Sequence, residues 1–238
     1  MIGPVTIVGA SFFSTHHASA GDALAGRERA STTPTFAMVS GRNRRYTSLV
    51  TQMTLEVCGA LSPSSGPPIC VFATVHGEIA TAERLIGDFR DHRLVSSAAF
   101  ALSVHNSPSG VYSVAAQHTQ PTTTLSGTNA IAAGWLEAVL TACADPECSV
   151  LLAIADEPVP AVFRGPSETV GVAAAFLLRA GQTGATGVTA RLARTPSSDE
   201  AGTVHTLATA VDAITRGVAL VLALGRIEAV AGLQLELG

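Results

Sequence analysis

Residues 97–140 read SAAFALSVHNSPSGVYSVAAQHTQPTTTLSGTNAIAAGWLEAVL. A helix-like stretch around Gly110–Gln117 comes first, and Thr122–Ser126 follows as a short strand. A second helix is indicated by apolar residues at helical spacing, namely Ile131, Trp135, Ala138, Val139 and Ala142. The N-cap residue of this helix is expected to be Ser126, Thr128 or Asn129. The segment therefore predicts a strand held between two helices.

The rest of the chain continues this alternation of strands and helices. The other predicted strands are Val5–Phe12, Ile69–Val75, Val150–Asp156, Val170–Arg179, Gly187–Arg194 and Val230–Leu237. One helix ends near Leu61 and presents Tyr46, Leu49, Val50, Met53, Val57 and Leu61. The next presents Ile79, Ala82, Leu85, Ile86 and Phe89, a stripe that predicts packing on the sheet. The last is marked by Leu207, Val211, Ile214, Val218 and Leu222. Without linker or repeat, residues 1–238 are expected to form one layered α/β domain.

The composition indicates a protein that buries surface against a partner. Apolar residues make up 47% of the chain and glycine adds another 22 residues, whereas charged residues contribute only 13%. That charged fraction is about half of the usual ~25%. A surface with so little polar cover is expected to lie partly against another chain.

Several classes of function lose support from residue types and motifs. All 14 basic residues are arginine, which removes Schiff-base and P-loop chemistry. The net charge is -4 and the basic cluster Arg42, Arg44 and Arg45 lacks stacking aromatics, so no nucleic-acid binding is expected and the cluster is interpreted as a solvated loop. The adjacent pair His16 and His17 lacks nearby Cys or acidic ligands, so no metal site is predicted.

The four cysteines form no CxxC motif, and Cys58 and Cys70 lie in apolar stretches typical of core thiols. The longest apolar runs, Gly171–Leu178 and Gly217–Leu224, are too short to span a bilayer, and a cytoplasmic protein is expected.

Residues 97–140 resemble the nucleophile region of β-ketoacyl synthases in the thiolase superfamily. Asn106, Pro108 and Gly110 match the turn that opens a helix, and Thr122–Ser126 and Ile131–Leu140 match the following strand and helix. More closely, FATVHGE (72–78), FALSVHNSPSG (100–110) and ADEP (155–158) are similar to short chain length factors of aryl-polyene-type pathways. The resemblance covers residues 69–160 and implies an α/β thiolase-like half fold, with a mixed, mostly parallel sheet of five or more strands.

The sequence departs from the active synthases at the position of the nucleophile. In those enzymes a cysteine at the helix N-terminus is activated by the helix dipole and accepts the acyl group. Matching the motif places Asn129 there, give or take one residue, and an amide nitrogen is not a nucleophile at neutral pH. The synthases also carry two histidines and a lysine in a second half for which this chain has no room. The resemblance therefore implies a subunit that is not catalytic alone and needs no cofactor.

The same resemblance implies where such a subunit meets its partners. The strand formed by Thr122, Thr123, Thr124, Leu125 and Ser126 would pair across a two-fold axis with a full-length β-ketoacyl synthase. The residues facing the acyl tunnel, whose side-chain size sets chain length, would be His76, Gly77, Glu78, Ile79, Ala80 and Glu83. His105 and Asn106 are expected at the interface, and acyl carrier protein would be reached through the complex.

Simpler roles stay open for three of these residues. Ile79 can be ordinary core, Glu78 a carboxylate of the first helical turn and Asn106 a helix cap. Two other functions also stay open: a small acyltransferase or thioesterase that uses Ser126 or His105, and a homodimeric module that binds carrier protein.

Overall fold

A computed structural model describes residues 2–35, 37–39, 47–61, 63, 66–163, 170–181, 187–194, 203–216, 220–227 and 230–237. In these residues eight strands form one sheet: β1 Ile2–Ser14, β2 Ile69–Thr74, β3 Thr122–Ser126, β4 Val150–Asp156, β5 Val172–Ala180, β6 Val188–Arg194, β7 Leu220–Ile227 and β8 Val230–Leu237. The helices are α1 Ala20–Leu24, α2 Leu49–Gly59, α3 Ile79–His92, α4 Ser97–Ala101, α5 Ser107–Ala115, α6 Ala130–Ala144 and α7 Thr203–Arg216.

The sheet has the order β3-β2-β4-β5-β1-β6-β8-β7. The expected mixed α/β sheet of at least five strands is confirmed, but its parallel part is smaller than predicted. Only β2 pairs in parallel, with β3 on one side and β4 on the other, and the remaining neighbours are antiparallel. A strand buried on both faces is a continuous apolar run whether it pairs in parallel or antiparallel. The sequence therefore could not distinguish parallel from antiparallel pairing.

Helices cover both faces of the sheet and create two cores. On one face α6 and α7 pack on the central strands, and Trp135 stacks against Phe176 with ring centroids 4.7 Å apart. The other face is covered by α2 and α5, where Phe72 and Tyr112 are in ring contact at 5.6 Å. All five predicted inward residues of α6 are buried. The layered architecture follows from these two separate apolar clusters.

Gly134 sets how closely α6 approaches the sheet. A Cβ atom at this position would lie 2.9 Å from Ala73 Cβ and 3.3 Å from Leu152 Cδ1. Such distances leave no room for a methyl group in a close-packed interior. Glycine therefore allows the helix backbone to lie directly on β2 and β4.

One prediction about helix packing and one about secondary structure are wrong. The apolar stripe of α3 does not pack on the sheet: Leu85 is the one buried residue of this helix, and the helix mainly contacts α4. The last helix ends at Arg216, and Leu222 belongs to strand β7, because the apolar run after Gly217 fits a buried strand as well as a helix. Tyr46 and the cluster Arg42, Arg44 and Arg45 lie outside the described residues.

Candidate functional site

The carboxyl ends of β2, β3 and β4 meet at one edge of the sheet, where Asp156 organises the turn that follows β2. Its Oδ1 accepts hydrogen bonds from Thr74 Oγ1 at 2.8 Å and from the N–H groups of Val75 and His76 at 2.9 Å each. Burial raises the pKa of this carboxyl, although the backbone donors act in the opposite direction. Asp156 thus fixes the backbone at His76, the first predicted tunnel residue.

Gly77 brings two of the predicted segments into contact. Its N–H donates to Thr74 Oγ1 at 2.8 Å, and its φ of +62° is a conformation that favours glycine. A Cβ at this position would lie 3.3 Å from His105 Cβ and 3.4 Å from His105 Cα. The turn after β2 and the His105–Asn106 turn are therefore adjacent, with both His105 and Asn106 exposed.

Glu78 is buried at the start of α3 and links that helix to α2. Its Oε1 accepts hydrogen bonds from Ser48 Oγ at 2.6 Å and Thr51 Oγ1 at 2.9 Å, while its Oε2 accepts from Thr81 Oγ1 at 3.1 Å. Burial raises its pKa against the effect of these three hydroxyls. Glu78 occupies the N-cap position of α3 without bonding its own helix backbone, so its role is to join two helices.

Glu157 lies beside Glu78 and caps the same two helices. Its Oε1 accepts from the Ala80 N–H at 3.0 Å, and a backbone hydrogen bond from Val50 reaches the same carboxyl. Burial, reinforced by the charge of Glu78, raises its pKa to about 7. Sequence reasoning missed this residue, although an Asp-Glu pair at the end of a buried strand was a usable signal.

Hydrogen bonds surround these three buried carboxyls, and the charge of His76 also acts to lower the pKa of Asp156. Their negative charge is stabilised by backbone N–H groups and hydroxyls, which resemble the caps of helix N-termini. The cluster Glu78, Asp156 and Glu157 is thus a structural support for the first turn of α3.

The turn between β3 and α6 contains the predicted nucleophile position. Ser126 ends the strand, Gly127 has a φ of +112° and donates to Thr74 O at 3.1 Å, and Asn129 is the N-cap residue of α6. Asn129 is the N-cap residue of α6 and Asn106 is the N-cap residue of α5, as predicted. Neither side chain makes a capping hydrogen bond. Residues 126–130 include no thiol.

The cysteines lie elsewhere in the fold. Cys58 and Cys70 are buried, as predicted, and burial raises the pKa of the Cys70 thiol to about 12. Cys70 lies near the amino end of β2, with its Sγ 3.4 Å from His118 Nε2. Cys143 is exposed near the last turn of α6, about 20 Å along the helix from Asn129 at 1.5 Å per residue. None of the four cysteines, all of which the structure describes, lies in the turn before α6.

The predicted pairing strand is an edge of the sheet. β3 pairs with β2 on one side, and its other side faces no strand in the described part of the chain. Thr122 and Ser126 are exposed, Thr123 and Leu125 are half-buried, and Thr124 donates to Ser109 Oγ at 3.0 Å. Unpaired backbone groups of an edge strand are a template for pairing with another chain.

The helix that carries the other predicted contact residues leaves its apolar face uncovered. Ile79 and Ala80 are half-buried and Glu83 is exposed, which excludes Ile79 as an ordinary core residue. Further along α3, Ile86 is 61% exposed and Phe89 53% exposed. Large apolar side chains left in solvent along one helix are typical of a surface covered by a partner.

The two adjacent histidines are engaged separately, His16 Nδ1 with Thr15 Oγ1 at 2.8 Å and His17 Nδ1 with Ser14 Oγ at 2.9 Å. Among the described residues no group of three or more His, Cys, Asp or Glu side chains could hold a metal ion. None of the helices in those residues has the length and apolar character needed to cross a bilayer.

Comparisons with known proteins agree on one family and one fold. The model of the beta-ketoacyl synthase N-terminal domain matches residues 18–223, whereas no curated protein matches the chain. The fold is similar to a chain of the ketosynthase ApeO in complex with its chain length factor ApeC from Xenorhabdus doucetiae, with a TM-score of 0.75, 17% identity and 99% of each chain covered.

Two further structures are similar. The ishigamide ketosynthase/chain length factor has a TM-score of 0.61 and 12% identity over 81% of this chain and 68% of that chain. AntDE:AntF, a type II polyketide synthase acyl-carrier protein in complex with its ketosynthase bound to the hexaketide, has a TM-score of 0.60 and 12% identity over 82% and 71%. At these identities the likeness establishes the fold, which is thiolase-like.

Proposed function

Since the chain belongs to the beta-ketoacyl synthase family, we propose that it is a non-catalytic, single-domain subunit of the chain length factor type. In this proposal it pairs with a full-length β-ketoacyl-acyl carrier protein synthase and completes the acyl tunnel of that enzyme. The complex would extend acyl chains on acyl carrier protein in aryl-polyene-type, fatty acid or polyketide biosynthesis.

The observation that carries the proposal is the chemistry of the turn before α6. In active members of the family, a thiolate at this helix N-terminus accepts the acyl group. Here the turn contains Ser126, Gly127, Thr128 and Asn129, and the N-cap residue is an amide. An amide cannot form the acyl-enzyme, so a family scaffold with this turn supports a role other than catalysis.

Two surfaces of the chain are suited to contact a partner protein. The edge strand β3 has one side that pairs with no described strand, and α3 exposes the apolar side chains of Ile86 and Phe89. The low charged fraction of 13% agrees with burial of part of the surface. The three solved structures described above are complexes that contain a ketosynthase.

The first turn of α3 is suited to define a tunnel wall, because its backbone is held rigidly. Glu157 caps Ala80 and Glu78 bonds three hydroxyls, so Ile79 stands between two anchored residues. A side chain on a fixed backbone sets a reproducible limit on the length of an acyl chain. The size of residue 79 is therefore the proposed determinant of chain length.

Co-expression with a full-length ketosynthase tests the proposal. We expect a stoichiometric heterodimer that condenses malonyl carrier protein, and a lone chain that releases no carbon dioxide from it. Turnover by the lone chain would contradict the proposal, and so would a stable homodimer that does not bind the synthase.

Labelling with a serine-reactive probe tests the acyltransferase or thioesterase alternative. That reaction needs a base for Ser126, and the described part of the chain shows no side-chain hydrogen bond between Ser126 and a histidine. We expect no labelling of the native chain.

A further inference from the structure

A polar cavity of about 450 Å³ lies between the N-terminal parts of α2 and α3 and the short helix α4, and we call it the α3–α4 pocket. Its lining includes Ser48, Glu78, Thr81, Arg84 and Ser96. The volume is within the ~300–1,000 Å³ that binding pockets usually have. Because most of these side chains are polar, hydrogen bonds and charge decide what the pocket binds.

The buried charged group of the pocket is Glu78, which is only 4% exposed. Its three described hydrogen-bond donors, Ser48, Thr51 and Thr81, are neutral hydroxyls. They occupy three of the roughly four acceptor positions of a carboxylate, so Oε2 can accept one more hydrogen bond. Hydrogen bonds from a cation to a carboxylate are about twice as strong as those between neutral groups. The pocket therefore offers a buried acceptor that a cationic donor would complete.

The charges around the pocket favour a cation at its buried end. Glu157 lies beside Glu78, and each carboxylate disfavours the ionisation of the other. The basic residue of the lining, Arg84, is turned towards solvent: its side chain is 56% exposed, and its Nη1 lies 3.6 Å from Asp88 Oδ2. Positive charge thus lies at the mouth of the pocket and negative charge at its base.

The helix N-termini that meet here do not form an anion site. The Ser48 hydroxyl accepts from the N–H of Thr51 in α2, and the Ser96 hydroxyl accepts from the N–H of Ala99 in α4. Glu157 caps the first turn of α3 in the same way. Since these N–H groups already have acceptors within the chain, an anion would meet Glu78 without the donors that usually bind it.

Exposed apolar side chains flank the pocket in the chain. Leu94 and Val95 precede the lining residue Ser96 and are 75% and 44% exposed, and Phe100 follows the lining residue Ala99 and is 64% exposed. A polar anchor surrounded by apolar contacts is typical of hot spots between proteins, where arginine is enriched. Arginine is also less strongly hydrated than lysine and can donate two parallel hydrogen bonds to a carboxylate. An arginine side chain of another protein therefore fits both the base and the surroundings of the pocket.

We propose that the α3–α4 pocket receives an arginine side chain of the partner ketosynthase, and that its guanidinium group pairs with Glu78. The identity of the partner rests on the proposed function, whereas the preference for a cation rests on the pocket itself. The pair would help to determine which synthase this subunit accepts, separately from the size of residue 79.

Two variants and a control test the pocket. Glu78→Gln removes the charge, while the amide oxygen can still accept from the Ser48 and Thr51 hydroxyls. Ala99→Leu leaves Glu78 intact and adds volume to the α4 wall with a residue that favours helix. The matched control is Glu147→Gln, because Glu147 is exposed and lies in the turn before β4, at the opposite edge of the sheet.

The first experiment titrates the purified chain with propylguanidinium and follows the amide NMR resonances of Thr81 and Ala99. We expect saturable shifts with a dissociation constant on the order of 1 mM, and none with the neutral analogue propylurea. Glu78→Gln and Ala99→Leu should weaken binding by about tenfold or more, and Glu147→Gln should not change it. Absence of saturable binding, or equal binding of propylurea, would overturn the proposal. So would wild-type affinity in Glu78→Gln.

The second experiment measures the affinity of the heterodimer with a ketosynthase. We expect Glu78→Gln and Ala99→Leu to raise its dissociation constant by about tenfold or more, and Glu147→Gln to leave it unchanged. Wild-type affinity of Glu78→Gln, or a loss in Glu78→Gln that Ala99→Leu does not share, refutes the pocket proposal while the proposed function stands.

Two other outcomes identify a different error. If Glu78→Gln dissociates a homodimer of the lone chain, the occupant belongs to a second copy and the assignment to the synthase is refuted. If the wild-type chain forms no heterodimer, the proposed function itself fails, and the assignment to the synthase fails with it. The propylguanidinium titration then still decides whether the pocket binds a cation, since it needs no partner protein.

Discussion

Replacing Glu157 by glutamine removes the ionisation of the buried carboxyl that caps α2 and α3. The amide oxygen of glutamine can still accept the hydrogen bond that the Ala80 N–H donates to Oε1. The change therefore separates the charge of residue 157 from its hydrogen bonds. We expect Glu157→Gln to lose a pH dependence of stability that the wild type has.

The sign of that dependence follows from the direction of the pKa change. A carboxyl whose pKa is higher in the folded state binds more protons when folded, so stability falls as the pH rises between the two pKa values. For Glu157 these are the ordinary value of 4.5 and about 7. Since one pH unit corresponds to about 1.4 kcal/mol, Glu157 costs the folded state up to about 3 kcal/mol above this window.

Urea unfolding at about pH 5 and about pH 8 measures the difference, because these values lie near the two ends of the window. The single tryptophan, Trp135, is fully buried against Phe176 and reports unfolding by fluorescence. We expect the wild type to lose about 2–3 kcal/mol more than Glu157→Gln between the two conditions. Glu78 and Asp156 titrate in both proteins, and because their charges raise the pKa of Glu157, the measured difference includes this coupling.

The exposed Glu147 provides the matched control, and Glu147→Gln should follow the wild-type dependence within about 0.5 kcal/mol. Equal pH dependence in Glu157→Gln and the wild type would refute the assignment of a raised pKa to Glu157.

Three further predictions address the tunnel, the core and the thiols. Ile79→Phe should shorten the products of the heterodimer, measured by mass spectrometry, and an unchanged distribution would remove Ile79 from the tunnel. Gly134→Ala should lower the unfolding free energy by about 1–3 kcal/mol, because its Cβ would lie 2.9 Å from a β2 side chain, whereas Gly87→Ala in open space should raise it by up to about 1 kcal/mol. Maleimide should label Cys143 in the native chain and Cys70 only in urea, and rapid native labelling of Cys70 would contradict its burial.

Local sequence patterns predicted most elements of the fold. The periodicity of α6 placed all five of its inward residues correctly, and the apolar run of β4 matched a strand in which every residue is buried. The two failures have different causes. The stripe of α3 shows that this helix needs a cover, but not whether the cover is the sheet or another molecule. The run after Gly217 is continuously apolar and shows no periodicity. The sequence therefore could not distinguish a strand from a helix there.

The candidate site was predictable only where it is local. The turn before α6 could be located because a strand and a helix flank it, and its lack of a thiol is a property of five consecutive residues. Gly77 and His105 were both singled out, but their contact was not foreseen, since it joins segments 28 positions apart.

The sequence by itself determined the alternation of strands and helices, the absence of lysine and the amide at Asn129, because each depends on residue identity or on neighbours within a few positions. Tertiary structure decided the contact between Glu78 and Glu157 and the uncovered apolar face of α3. These features depend on how distant segments pack, and the burial that raises the pKa of Glu157 exists only after β4, α2 and α3 have come together.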